Sequence, residues 1–139
     1  MKMIYAAYGS NMNVAQMSFR CPAAIELGVG EIEGYEMYFS YKGVANIQPN
    51  SDERVPVVIW KLTEECIKAL DRYEGYPNLY IKRMVRVKWQ DTEQQMLVYV
   101  LKEPYGRVIQ MPSEQYLKCI LEGYTEHKLE IGKLLCLDS

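Results

Sequence analysis

Three short stretches of this 139-residue chain hold residue types that can do chemistry. In Asp71-Arg72-Tyr73-Glu74-Gly75-Tyr76-Pro77, one carboxylate is crowded in sequence by Tyr73, Tyr76 and Tyr80. Glu74 falls at the predicted end of a helix, where the negative pole disfavours ionisation. Partial burial would then raise its proton affinity toward neutrality, which suits a general acid/base. An exposed carboxylate at a helix end fits the same residues. Tyr8-Gly9-Ser10-Asn11 is the second stretch, a turn between a predicted strand and a short helix. Its backbone N–H groups can converge on a carboxylate or phosphate, and glycine lets the ligand approach closely. An ordinary tight turn is the plainer reading. The third is Tyr116, on the apolar face of a late helix, where a tyrosine is either core or a ligand contact.

Other chemistries lack their parts. Ser10 has no G-x-S-x-G elbow, and a serine or cysteine nucleophile would have to recruit the lone His127 from the far end of the chain. One histidine and four scattered cysteines (Cys21, Cys66, Cys119, Cys136) offer no zinc spacing, so no metal is expected. A formal charge of −2 gives no electrostatic footprint for nucleic acid, and the stripe Lys82, Arg86, Lys88 reads as a solvated sheet face. No apolar run is long enough to span a bilayer, and Met1-Lys2-Met3 leads straight into a strand. A soluble, cytoplasmic protein with reduced, mostly buried thiols is expected. Two tryptophans and twelve tyrosines could build an interface or fill the core, so oligomeric state is open.

These residues need elements to hold them, and the length fits one domain over 1–139. Strands are predicted at Met3–Ala7, Ile25–Ile32, Glu36–Tyr41, Val44–Gln48, Val55–Leu62, Tyr80–Trp89 and Met96–Leu101, with a polar connection over Gln90–Gln95. Helices are predicted at Asn13–Phe19, from Thr63 to Glu74, and from Ser113 to about Glu122. Thr63 caps the second helix and Gly75 closes it, while Gly123 closes the third. Strands with inserted helices and no regular alternation favour an α+β fold. A small mixed, mostly antiparallel β-barrel with flanking α-helices is the expected architecture.

The same stretches, taken in order, resemble the γ-glutamylcyclotransferase-like family, AIG2-like proteins included. Tyr5-Ala6-Ala7-Tyr8-Gly9-Ser10-Asn11-Met12 is similar to the family's first strand and its Y-G-S-N turn. Arg20-Cys21-Pro22-Ala23-Ala24 resembles its R-x-P-x-A segment, and Val57-Val58-Ile59-Trp60-Lys61-Leu62 the strand before its catalytic helix. Leu70-Asp71-Arg72-Tyr73-Glu74-Gly75 looks like its L-D-x-x-E-G stretch, and Pro112 to Tyr116 its S-x-x-Y. The resemblance implies that Glu74 is the proton acceptor. It implies that Tyr5, Ala6, Ala7, Tyr8, Gly9, Ser10 and Asn11 cradle a γ-glutamyl group, with Tyr80 and Tyr116 as further contacts. It implies ring closure of a small γ-glutamyl substrate to 5-oxoproline, without cofactor. A non-catalytic small-molecule binding module on the same fold is the alternative.

Overall fold

A computed structural model describes residues 3–137, so Met1 and Lys2 lie outside the described residues. Five strands, β1 (Met3–Ala7), β2 (Ile25–Phe39), β3 (Ala45–Leu62), β4 (Tyr80–Trp89) and β5 (Thr92–Leu101), close into a barrel in the order β1-β3-β2-β4-β5. Every pairing is antiparallel except the closing one, where β1 meets β5 in parallel at Tyr5 and Leu97. The expected mixed, mostly antiparallel barrel is therefore the fold. Val57, Val58, Ile59 and Trp60 of β3 are all buried, so this strand is covered on both faces, as a barrel wall under flanking elements must be.

The strand count differs from the expectation. The four segments predicted between Ile25 and Leu62 are two long strands, β2 and β3. β2 bends without ending, because Gly28 (φ 136°) and Gly34 (φ 81°) sit at its two register shifts, where a left-handed residue makes a bulge. Opposite the second shift, the polar run Asn50–Glu53 bulges from β3, which is why it reads as a break in sequence. The strand ends also move: Tyr41 and Val44 belong to the turn between β2 and β3. The polar connection shrinks to Gln90-Asp91, both at positive φ, in a tight hairpin that starts β5 at Thr92.

The helices are α1 (Val14–Arg20), α2 (Glu64–Glu74), α3 (Glu114–Glu126) and α4 (Gly132–Leu137). Side chains of Asn13, Thr63 and Ser113 cap the first three by accepting from N–H groups three residues on. Gly75, at φ 68°, closes α2 as its left-handed cap and leaves Glu74 as the final helical residue. Gly123 does not end α3. It lies inside the helix because a Cβ there would come within 2.9 Å of the Met12 Cβ, so glycine lets α3 press on the Ser10–Met12 turn. No helix of the described residues is long and apolar enough to cross a membrane. Cys21 and Cys66 are buried and unbridged, Cys119 is half-buried and free, and the Cys136 side chain lies outside the described residues.

Candidate active site

The first strand stops at Ala7, and past Tyr8 and Gly9 a 3₁₀ turn over Ser10–Met12 leads the chain into α1. Such a turn leaves its first N–H groups without partners inside the helix. Across from it, α2 ends at Glu74, and α3 presents Tyr116. Together they border a small recess with about 320 Å³ of empty space, open solvent at its mouth included. Tyr5, Tyr8, Gly9, Ser10, Asn11, Ala45, Glu74, Tyr80, Tyr99 and Tyr116 line it.

Eight of the residues singled out in the sequence are thus brought together from five separate elements. Ala6 and Ala7 are not among the lining residues. They are fully buried in the barrel wall and paired with Ile59 and Val58 of β3. Sequence reasoning missed Ala45, Tyr99 and, just behind the turn, Arg20. The Arg20 guanidinium donates to Ser10 Oγ at 3.1 Å and to Asn11 Oδ1, and on its other side to Tyr73 Oη at 2.5 Å. His127 is remote from the recess; its ring bridges the Gly123 carbonyl and Glu26.

The five phenols divide by what they do with their protons. Tyr8 donates to the Tyr99 carbonyl at 2.6 Å, Tyr80 to the Ala45 carbonyl at 2.9 Å, and Tyr99 to Asp71 Oδ1 at 2.6 Å. Lys82 shares that carboxylate, donating to Oδ2 at 2.9 Å. These three tyrosines are anchored by their own hydroxyl hydrogens. Tyr5 and Tyr116 instead accept, from Asn11 Nδ2 at 3.0 Å and from the Ala45 N–H at 3.1 Å. A phenol has one hydrogen to give, so both keep theirs available for a ligand. Burial, and then the neighbouring Glu74 charge, push the Tyr5 and Tyr8 hydroxyls far above the ordinary phenol range, so both stay protonated. For Tyr116 burial again dominates and raises its pKa. Gly9 keeps the Tyr116 hydroxyl accessible, since a Cβ at that position would sit 3.3 Å from it.

Glu74 is the one carboxylate lining the recess. Burial pushes its pKa up from 4.5 to about 7, and the nearby Arg20 cation opposes that rise. A carboxyl so placed changes protonation at neutral pH and can both accept and return a proton. Among the described residues no three His, Cys, Asp or Glu side chains converge as metal ligands.

Both the fold and the sequence of the chain have counterparts among known proteins. The family described as "Gamma-glutamyl cyclotransferase, AIG2-like" matches residues 5–118, from the first recess tyrosine to just past Tyr116. Gamma-glutamylcyclotransferases of Bos taurus and Homo sapiens are each 27% identical to the chain, over 92% of it and 73% of their own length. A solved "Gamma-glutamyl cyclotransferase" superposes with a TM-score of 0.85 at 24% identity, covering all of this chain and 88% of that one. With the matched segment spanning the barrel and every residue around the recess, the chain belongs to the gamma-glutamyl cyclotransferase, AIG2-like family of enzymes.

Proposed function

We propose that the chain converts a γ-glutamyl amino acid or γ-glutamylamine into 5-oxoproline and a free amine, with Glu74 as general acid/base. The observation that carries this reading is the single carboxyl, raised by burial to about 7, lining a tyrosine-walled recess. In a γ-glutamyl compound the α-amine can fold back on the γ-carbonyl and close a five-membered lactam. The reacting groups are on one molecule, so selecting the folded conformer is a large part of the task. The free α-amine titrates near ~8 and is mostly protonated at neutral pH. Once deprotonated, its nitrogen attacks the γ-carbon; Glu74 takes the proton released from that nitrogen and returns it to the leaving amine as the C–N bond breaks.

The chain's other groups have complementary tasks. The N–H groups of the Gly9–Asn11 turn receive the α-carboxylate. The free hydroxyl hydrogens of Tyr5 and Tyr116 donate to oxygens of the γ-glutamyl group, including the γ-carbonyl oxygen as it gains charge. Tyr8, Tyr80 and Tyr99 shape the walls. Ala6 and Ala7 act through the strand that places Tyr5 and Tyr8. No cofactor or metal enters this scheme.

Product analysis on a panel of γ-glutamyl amino acids and γ-glutamylamines tests it. The reading expects 5-oxoproline and one equivalent of amine. Release of glutamate instead would mean hydrolysis by water and would overturn the ring-closure reaction.

A further inference from the structure

The lining of the recess contains no cation, yet Arg20 touches two of its lining residues, Ser10 and Asn11, and also Tyr73, the neighbour in sequence of the lining Glu74. On one side its Nη1 donates to Ser10 Oγ and Asn11 Oδ1. Asn11 in turn donates to the Tyr5 hydroxyl, so the guanidinium fixes the group that orients one of the two free phenol hydrogens. On the other side Nη2 donates to the hydroxyl of Tyr73, whose ring lies under the guanidinium at 3.5 Å from its centroid. Tyr73 precedes Glu74 in the last turn of α2. One planar fork therefore ties the turn after β1 to the end of the helix that carries the acid. Lysine, with a single charged nitrogen, cannot reproduce that geometry.

Resting on the function proposed above, we infer that Arg20 is a positioning residue: it locks the Ser10–Asn11 turn to the end of α2 that carries Glu74. Ionisable groups around Glu74 are Tyr5 on β1, Tyr8 after it, Tyr80 on β4, Tyr99 on β5, Tyr116 on α3 and Arg20 on α1. The phenols are neutral near pH 7, which leaves Arg20 as the charge that favours the Glu74 carboxylate. The turn and the acid come from distant parts of the chain, so loss of the fork releases their spacing. Misplacement of this kind costs about tenfold to a hundredfold in rate.

The test uses R20Q and R20K beside wild type, with Y73F to cut the α2 side of the fork alone. Glu74 is titrated directly by carbon-13 NMR of its side-chain carboxyl, with E74Q spectra to assign the signal, so this readout needs no turnover. The carboxyl midpoint should move up in R20Q and stay near wild type in R20K. On a substrate the wild type turns over, R20Q and R20K should lose about tenfold or more in kcat/KM, and Y73F should lose less. The acidic limb of the rate profile should follow the NMR midpoint in R20Q. A folded R20Q with an unmoved Glu74 midpoint would overturn the inference. So would loss of activity that merely tracks loss of thermal stability, with the midpoint unchanged. A wild type inactive on every γ-glutamyl compound would count against the proposed reaction, while the NMR midpoint would still decide Arg20's effect on Glu74.

Discussion

A half-buried acid that must ionise for chemistry should weaken the fold that holds it, and E74Q measures that cost. Glu74 is raised from 4.5 to about 7 by burial. Its folded pKa lies above its unfolded one, so between those values the folded state binds the extra proton. Stability is therefore highest below about pH 4.5 as far as this group is concerned, and falls as pH climbs toward 7. A rise of this size corresponds to about 3 kcal/mol once both states are ionised. Glutamine keeps the shape of the protonated acid and never ionises. E74Q should then match wild type near pH 4 and be more stable by about 3 kcal/mol at pH 8, on the order of 10 °C in Tm. Urea unfolding followed by tryptophan fluorescence at half-unit steps from about pH 4 to 9 gives the difference curve directly. Other titrating groups are common to both proteins and cancel. A difference curve flat in pH, or a wild type more stable than E74Q at pH 8, would refute the burial of this carboxyl.

Two further substitutions test the site and its support. Y116F removes a hydroxyl hydrogen that no protein group uses, together with the oxygen that accepts from the Ala45 N–H, so it should lower kcat/KM about tenfold or more and cost about 1 kcal/mol of stability; unchanged kinetics would return Tyr116 to the core. Y80F breaks an anchor to the Ala45 carbonyl and should cost about 1 kcal/mol of stability, read in the same urea titration. G123A places a methyl 2.9 Å from the Met12 Cβ and 3.0 Å from the Asn13 nitrogen. It should destabilise by about 1–3 kcal/mol, and a Tm equal to wild type would show that α3 does not press on the turn as described.

The parts of the site carried by local signals were legible in the sequence. Thr63 and Gly75 bracket α2, so Glu74 could be placed at its last position from residue type alone, and Gly9 marked the turn. Residues that belong to the site through pairing were not legible. Tyr99 lies in an almost continuously buried stretch of β5, where the alternation that would reveal a facing direction is lost. Ala45 contributes only backbone N–H and carbonyl groups, which its side chain cannot announce. Arg20 stood in view beside Cys21-Pro22, but its partners are nine and fifty-three residues away for Asn11 and Tyr73. Length was misjudged for the same reason in β2 and β3. Glycine bulges and the polar Asn50–Glu53 run look like strand ends locally, and only the facing strand shows that they are bends. Gly123 failed as a helix stop because its reason is a neighbour, Met12, rather than a cap.

The most direct test of the central claim is the pH–rate profile for 5-oxoproline formation by wild type, measured beside E74Q on the same substrate. Wild type should show an acidic limb near pH 7, the ionisation of Glu74, and E74Q should fold and bind the substrate yet lose product formation by several orders of magnitude. A folded E74Q that forms 5-oxoproline at a rate near wild type would contradict the assignment of Glu74 as the acid/base.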